Sequence, residues 1–148
     1  MFTHFRPNQR EIIEAALDGK DLLILLPSGS GKGLCYQLPA VCTAGTTHGM
    51  TVVISHLSIK DQVDELKQKG VDAVSATSGD DLPSTLSRLR GSGRKPRLLY
   101  IPPERLRHSD MMTIITQLHQ DGQLARFVID EAQCISTWSR DFRVEVGI

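Results

Sequence analysis

Short apolar runs alternate with amphipathic segments along most of this chain. The runs are rich in leucine or β-branched residues and predict strands over residues 21–26, 51–55, 71–75, 97–101 and 125–130. The amphipathic segments predict helices over residues 31–44, 59–69, 82–90 and 111–121. Strands that are apolar throughout are buried on both faces, and their alternation with helices is typical of a parallel sheet. The pattern therefore predicts an α/β fold, a mostly parallel sheet with helices on both faces.

The composition is that of an ordinary globular domain, with 148 residues, of which 40% are hydrophobic and 23% charged. This length favours one domain over residues 1–148. There is no apolar run of ~18 residues and no apolar stretch at the N-terminus, so neither a membrane-spanning helix nor a signal peptide is expected. Three cysteines without a CxxC pair argue against a disulfide framework and favour a reducing, intracellular compartment.

Charge is balanced over the chain but concentrated in one segment. The formal net charge is zero, so the whole-chain electrostatics give no support for a nucleic-acid partner. Between a predicted helix and a predicted strand, however, lie five basic residues: Arg88, Arg90, Arg94, Lys95 and Arg97. A solvated surface loop is the favoured interpretation, and a surface that contacts a phosphate backbone is the alternative.

A glycine-rich turn follows the first predicted strand and leads directly into a predicted helix. Glycines in such a turn let successive backbone N–H groups point at one anion, and the helix adds the positive end of its dipole. A phosphate-binding loop is therefore predicted, formed by Pro27, Ser28, Gly29, Ser30, Gly31, Lys32 and Gly33. Lys32 would lie beside the β and γ phosphates; the alternative is a glycine-rich turn with an incidental lysine. The strict P-loop pattern has Ser or Thr after that lysine, whose hydroxyl binds Mg²⁺, and Gly33 lacks this ligand.

Two acidic residues, Asp130 and Glu131, follow the last predicted strand. In a Walker B element the aspartate holds Mg²⁺, generally through water, and the glutamate polarises the attacking water. A solvated strand end could carry the same pair, so the pair alone is a weak signal. Because ligands of parallel α/β sheets bind at the carboxyl ends of strands, its combination with the glycine-rich loop favours a site for nucleotide hydrolysis.

Four segments carry a resemblance to a known family, and they cover nearly the whole chain in that family's order. They are FRPNQ at residues 5–9, PSGSGKGLCYQLPA at 27–40, IPPERL at 101–106 and DEAQCISTWSRDFR at 130–143. The GK and DEA sequences alone would indicate only a superfamily 2 helicase. With LCYQLPA and CISTWSRDFR added, the chain resembles the RecQ family of ATP-dependent DNA helicases, specifically its N-terminal RecA-like P-loop lobe.

The resemblance implies that the chain binds ATP and Mg²⁺. Arg6 and Gln9 would contact the adenine edge, which selects ATP over GTP. Lys32 would hold the phosphates, Asp130 the magnesium ion through water, and Glu131 the catalytic water. These last three are the expected catalytic residues.

The resemblance also implies a DNA partner, single-stranded or partly duplex. Trp138, Phe142 and Arg143 would couple single-stranded DNA to hydrolysis, because aromatic side chains stack on bases without reading sequence. A core tryptophan is the alternative for Trp138, but its polar neighbours favour an exposed loop. Such a helicase would serve in DNA repair and recombination, in the nucleus of a eukaryote or otherwise in the cytoplasm.

The chain departs from the family pattern at several positions. Gly33 replaces Ser or Thr, Gln133 replaces His, His56 replaces Pro in a shortened motif Ia, and Val144 and Val146 stand where the family has Arg-Pro-Glu-Tyr. The first departure bears most on function, because it removes a magnesium ligand.

The chain stops soon after the aromatic-rich loop, before the motif III strand and the second RecA-like lobe of the family. The expectation is a C-terminally truncated lobe over residues 1–148 that binds nucleotide but does not unwind DNA alone. Without the motif III strand, the sheet would have a gap between the Walker A and Walker B strands, which predicts low stability in isolation. Two alternatives stay open: a catalytically inactive nucleotide- or DNA-binding remnant of such a helicase, and an unrelated P-loop kinase or ATPase, which the LCYQLPA segment disfavours.

Overall fold

The computed structural model describes residues 8–22, 24, 32–42, 49–55, 59–77 and 82–130. They fall into two compact units, Met1–His48 and Gly49–Ile148. The first unit contains helices α1 (Gln9–Leu17) and α2 (Lys32–Val41). The second contains β1 (Met50–Ile54), α3 (Ile59–Gln68), β2 (Ala73–Ser75), α4 (Leu82–Arg90), β3 (Leu98–Ile101), α5 (Pro103–Leu106), α6 (Ser109–Gln120) and β4 (Leu124–Ile129). No helix among these is both long enough and apolar enough to cross a membrane.

In the first unit, α1 and α2 pack against each other. α1 begins after Asn8, which has a left-handed φ of 70°, a conformation that asparagine tolerates better than most residues. α2 begins at Lys32, and one face of it is buried through Cys35, Tyr36, Pro39 and Ala40. Burial of this face raises the pKa of the Cys35 thiol. The start of α2 is therefore held by packing along the helix as well as by its own hydrogen bonds.

In the second unit, the strands form one parallel sheet in the order β2-β3-β1-β4. β1 and β3 lie in the middle, and all of their residues are buried, as expected for strands that are apolar on both faces. β4 lies at an edge of the described sheet, and its residues are only partly buried. The prediction of a parallel sheet is confirmed for these strands.

Helices cover both faces of this sheet. The chain passes from β1 beyond β3 to β2, and then returns to β3 and β4 in the opposite direction. Because parallel crossovers are right-handed, this reversal puts α3 on one face and α4 and α6 on the other. One core cluster joins the sheet to α4 and α6 and includes Val52, Ile54, Leu99, Ile101, Leu86, Leu89, Met111 and Ile115. The predicted α/β architecture is confirmed.

One predicted strand and two observed helices differ from the expectation. Within the predicted strand 21–26, the described residues Asp21, Leu22 and Ile24 belong to no strand, and Leu22 is 43% exposed. The other residues of that run lie outside the described ranges. An apolar run signals a tendency to be buried, but a strand also needs a neighbour to pair its backbone groups. Helices α1 and α5 are additions to the predicted set.

Candidate functional site

Lys32 is the first residue of α2, and its side chain is exposed. The helix therefore begins where the glycine-rich sequence ends, as the sequence predicts. Lys32 and Gly33 lie in the first helical turn, where backbone N–H groups have no acceptor within the helix and the dipole favours an anion. The remaining residues of the predicted phosphate loop, Pro27, Ser28, Gly29, Ser30 and Gly31, lie outside the described residues.

Gly33 lies in the helix at a point with room for a side chain. A Cβ built on it would lie 3.6 Å from Nε2 and 3.7 Å from Oε1 of Gln37, which are ordinary van der Waals distances. Crowding therefore does not account for glycine at this position. The same distances show that the carboxamide of Gln37, one turn further along α2, adjoins the space that a side chain at residue 33 would fill.

Gln9 is the first residue of α1 and is 3% exposed. A carboxamide carries both donors and an acceptor, which is the combination that recognition of an adenine edge requires. Its side chain is almost completely covered by the residues around it. Arg6, the other residue predicted to contact adenine, lies outside the described residues.

Asp130 is held at the carboxyl edge of the sheet, which is the side where the parallel strands have their C-terminal ends. β1, β3 and β4 end level with one another, because Ile54 pairs with both Ile101 and Ile129. The backbone N–H of Asp130 donates to the carbonyl of Ile54 at 2.9 Å, and that of Ser55 donates to the carbonyl of Ile101 at 3.2 Å. The hydrogen-bond ladder thus continues one residue beyond β4. It fixes the backbone of Asp130 at the strand end, where the sequence predicts the magnesium-binding aspartate.

The other predicted site residues lie outside the described residues, so their roles stay predictions. They are Glu131, Trp138, Phe142 and Arg143. Within the described ranges, no three His, Cys, Asp or Glu side chains meet at a point that could hold a metal ion. The carboxylate of Asp130 is a hard oxygen donor of the kind that suits Mg²⁺, which usually keeps several waters.

Two residues of the basic segment 88–97, Arg88 and Lys95, make hydrogen bonds within the protein. Arg88 donates from Nη1 to Oδ1 of Asp72 at 3.0 Å and from Nη2 to Oδ2, which makes a bidentate ion pair. Its Nε donates to the carbonyl of Arg94 at 3.2 Å. The Nζ of Lys95 donates to the carbonyl of Gly91, just beyond α4. The hydrogen bond from Arg88 lowers the pKa of Asp72, and that carboxylate raises the pKa of Arg88.

These contacts lie at the amino edge of the sheet. Asp72 directly precedes β2, and its carbonyl accepts a hydrogen bond at 2.8 Å from the N–H of Arg97, which directly precedes β3. This edge is opposite to the one that holds Asp130, and ligands of parallel sheets bind at the carboxyl edge. Two of the five basic residues, Arg88 and Lys95, therefore hold in place the loop 91–97, which connects α4 to β3. This arrangement favours the solvated loop over a phosphate-binding surface.

Arg105 is a residue near the carboxyl edge that the sequence reasoning did not single out. It lies in α5, its Nη2 donates to Oδ2 of Asp110 at 2.8 Å, and its side chain is 11% exposed. Among the described residues, its Nε has no hydrogen-bond partner. It borders an open cavity of about 550 Å³ whose wall includes Leu82, Leu86 and Arg90. Because its partner is five positions away, across the junction of two helices, helical spacing gives no signal for this pair.

Comparison with known proteins gives consistent matches. The DEAD/DEAH box helicase family matches residues 6–147. The ATP-dependent helicase SGS1 of Saccharomyces cerevisiae is 43% identical over 154 residues, which cover 94% of this chain and 10% of the relative. The ATP-dependent DNA helicase RecQ of Haemophilus influenzae is 40% identical over 148 residues, covering 97% and 22%. The RecQ-like DNA helicase BLM of Xenopus laevis is 43% identical over 146 residues, covering 94% and 10%.

The chain spans only 10% to 22% of the length of these three relatives. The matched region nevertheless includes both the start of α2 and the carboxyl edge that carries Asp130. A parallel sheet covered by helices on both faces is consistent with a RecA-like helicase domain. Together, the family match and the identities show that the chain belongs to the RecQ helicases, within the DEAD/DEAH box helicase family.

Proposed function

We propose that this chain is the ATP-binding lobe of a RecQ-like 3′–5′ DNA helicase and couples ATP binding and hydrolysis to single-stranded DNA. The observation that carries this proposal is the position of Asp130, the first acid of the DEA sequence, at the carboxyl edge of a parallel sheet. The names of its relatives support ATP as the nucleotide and DNA as the partner. Its proposed roles are DNA repair and recombination, in the nucleus of a eukaryote or in the bacterial cytoplasm.

In the proposed ATP site, the two ends of the nucleotide are held by different residues. Arg6 and Gln9 contact the adenine edge, and the backbone N–H groups of residues 27–33 surround the phosphates. The ammonium group of Lys32 contacts the β and γ phosphates and balances part of their charge. The exposure of Lys32 at the start of α2 supports this role, because its side chain is available to a ligand.

In the proposed hydrolysis step, Glu131 accepts a proton from the water that attacks the γ phosphorus. The bond between that phosphorus and the β–γ bridging oxygen breaks, and the products are ADP and phosphate. Asp130 would hold Mg²⁺ through water, and the ion, when bound, would supply positive charge to the phosphate oxygens. Lys32 stabilises the negative charge on the phosphoryl group as it transfers.

In the proposed coupling to DNA, Trp138 and Phe142 stack on unpaired bases, and Arg143 contacts the same strand. Stacking of this kind tolerates any sequence, because every base presents an aromatic face. The residues proposed to bind DNA come soon after Asp130 and Glu131 in the sequence. The short connection gives DNA binding a direct route to the position of the catalytic glutamate.

The proposed function is tested by nucleotide binding and by ATP turnover with and without single-stranded DNA. Lys32→Ala should weaken binding of a fluorescent ATP analogue by roughly tenfold or more, since it removes a charge that contacts the phosphates. Glu131→Gln should abolish DNA-stimulated turnover while leaving nucleotide binding in place.

Lys20→Ala is the matched control for Lys32→Ala, because it removes an exposed lysine from the same unit. Equal nucleotide affinity in the Lys32→Ala and Lys20→Ala variants would contradict the proposed phosphate site. DNA-stimulated turnover that survives Glu131→Gln would contradict the proposed catalytic role.

A second candidate function is a nucleotide- or DNA-binding protein that does not hydrolyse ATP. The observation that favours it is Gly33, which offers no hydroxyl in a helix position that has room for one. Gly33→Ser and Gly33→Ala separate the two candidates, because both add a Cβ but only serine adds an oxygen. Turnover that appears in Gly33→Ser and not in Gly33→Ala would identify the original chain as inactive. Turnover already present with Gly33 would favour the first candidate.

A further inference from the structure

The loop between α4 and β3 presents a serine to solvent. Gly91, Ser92 and Gly93 follow the end of α4, and every residue from 90 to 94 is exposed. A Cβ built on Gly93 would have no neighbour within 4 Å, so the space beside Ser92 is open. Exposed loop tips of small residues are the parts of a folded protein that another enzyme reaches most easily. Ser92 is therefore accessible to a second protein.

Arginines flank this serine at equal spacing on both sides. Arg90 lies two positions before Ser92 and Arg94 two positions after it, and both are exposed. Within the part of the chain that the structure describes, neither guanidinium donates a hydrogen bond, in contrast to Arg88 of the same segment. The positive charge beside Ser92 is therefore available for contact with a partner.

We propose that Ser92 is a phosphorylation site for a serine kinase that selects its substrates by the arginines beside the acceptor. A kinase with carboxylates along its substrate groove attracts a basic segment and repels an acidic one. In the transfer, Oγ of Ser92 forms a bond to the γ phosphorus of the ATP held by the kinase. The bond from that phosphorus to the β–γ bridging oxygen breaks, ADP leaves, and the hydroxyl proton passes to the catalytic aspartate of the kinase. The inference does not depend on the proposed nucleotide site of this chain.

Ser87 shows why exposure and nearby charge alone do not lead to this assignment. It too is exposed, and two arginines follow it closely. Ser87 lies inside α4, however, and its carbonyl accepts a hydrogen bond from the N–H of Gly91 at 3.0 Å. For Ser87 to reach a kinase active site, the end of the helix would have to unwind. The backbone at Ser92 can extend more easily, because glycine lies on both sides of it.

The contacts that hold the loop are compatible with the modification. Nε of Arg88 donates to the carbonyl of Arg94 at 3.2 Å. Nζ of Lys95 donates to the carbonyl of Gly91. Both bonds lie at the surface, so the loop can open locally without disturbing the sheet. The phosphate then adds a charge of about −1.5 to −2, and the flanking arginines can donate charge-assisted hydrogen bonds to it.

The test is phosphorylation of the full 148-residue chain by the catalytic domain of protein kinase C, an arginine-directed serine kinase, with ATP and Mg²⁺. Mass spectrometry of proteolytic peptides gives the initial rate at each residue, so any ATP hydrolysis by the chain itself does not enter the measurement. The rate at Ser92 should exceed that at Ser87 by roughly tenfold or more, because only Ser87 requires the helix to unwind. Equal rates at the two serines, or no phosphate on Ser92, would overturn the inference.

Arg90→Gln and Arg94→Gln test the role of charge. Each should lower kcat/KM for phosphorylation of Ser92 by roughly fivefold to tenfold, because it removes one of the two flanking cations. Lys67→Gln is the matched control, since it removes an exposed cation from α3 of the same unit. It should change kcat/KM by less than about twofold. Equal effects of the three substitutions would contradict recognition through the flanking arginines.

An acid-directed serine kinase provides a second comparison on the unchanged chain. It should phosphorylate Ser92 at least about tenfold more slowly than protein kinase C does, because its substrate groove repels a basic segment. Similar rates with the two kinases would show that exposure of the loop, and not its charge, decides the reaction, and the inference would fail. Urea denaturation of each variant confirms that the substitutions leave the fold intact.

Discussion

The two edges of the parallel sheet both carry charged residues, but they use them differently. At the amino edge, Asp72 and Arg88 neutralise each other and tie a loop to the sheet. At the carboxyl edge, Asp130 is fixed by its backbone N–H, a bond that does not use its carboxylate. Charge in the sequence therefore does not mark the site by itself. The edge of the sheet on which a charge lies separates the structural pair Asp72–Arg88 from Asp130, the residue proposed to bind magnesium.

The largest expected effect concerns the carboxyl edge. Asp130→Asn should reduce DNA-stimulated ATP turnover by about a hundredfold or more, because it weakens the group proposed to hold Mg²⁺. The variant should remain folded, because the backbone bond to Ile54 is kept. A steady-state ATPase assay and urea denaturation measure the two quantities.

Asp64→Asn is the control for this prediction, because Asp64 is an exposed acidic residue on α3. It should change neither turnover nor stability. If Asp130→Asn destabilised the protein and left turnover intact, the contrast between the two edges would be wrong.

The next effect concerns a glycine at the amino edge. Gly49 precedes β1 with a φ of 113°, and a Cβ there would overlap the carbonyl of Gln123, which accepts a hydrogen bond from Met50 at 2.8 Å. Gly49→Ala should therefore cost about 2–4 kcal/mol, from backbone strain and from displacement of that carbonyl. Urea denaturation measures the loss.

Gly122→Ala is the matched control, since Gly122 also has a positive φ, of 71°, but no neighbour within 4 Å of a Cβ. It should cost only about 1 kcal/mol, from backbone strain alone. If both variants lost the same free energy of unfolding, the close approach of Gln123 to Gly49 would make no contribution to stability.

The smallest effect concerns the ion pair at the amino edge. Arg88→Ala should lower the free energy of unfolding by about 1 kcal/mol, a modest value because solvent screens side chains that are 35% and 34% exposed. Arg90→Ala, at an exposed position of the same helix, should have little effect on stability. Nucleotide affinity should be unchanged in both variants. A loss of affinity in Arg88→Ala alone would assign this edge a role in binding.

The same ion pair has a defined pH dependence. Arg88 lowers the pKa of Asp72 from its ordinary value of 3.8, so the unfolded chain holds that proton more tightly than the folded chain. The stabilising contribution is therefore complete above 3.8 and is lost as the pH falls through the lower folded-state value. The difference in stability between the unchanged chain and Arg88→Ala should shrink over that acidic range. A difference that grows on acidification would contradict the pairing.

The central strands could be predicted because their apolar residues are contiguous and β-branched, and β1 and β3 are indeed buried throughout. The order of the strands in the sheet, β2-β3-β1-β4, could not be predicted, because the apolar pattern of a strand does not specify which other strand it pairs with. α1 had a usable signal in the helical spacing of its apolar residues Ile12, Ile13, Ala16 and Leu17. α5 has only four residues, too few for any period to show.

The candidate site was predictable to a similar degree. Lys32 and Asp130 follow a glycine-rich sequence and an apolar strand, both of which are local signals. The pairing of Arg88 with Asp72 spans 16 positions and depends on how β2 is placed beside the end of α4. The short distance between Gln37 and Gly33 could not be predicted from the sequence, because helical spacing allows the contact without requiring it.

The pairing of β4 with β1 also has a consequence for the order in which the protein assembles. Thr51 and Arg126, which are joined by a hydrogen bond across these strands, are 75 positions apart. Contacts of such long sequence separation form late, because the intervening chain must first give up its freedom. The acid at residue 130 reaches its place only when this last strand docks. A partly folded chain therefore has no organised carboxylate at that edge, and the proposed binding of magnesium by Asp130 requires that β4 has already paired with β1.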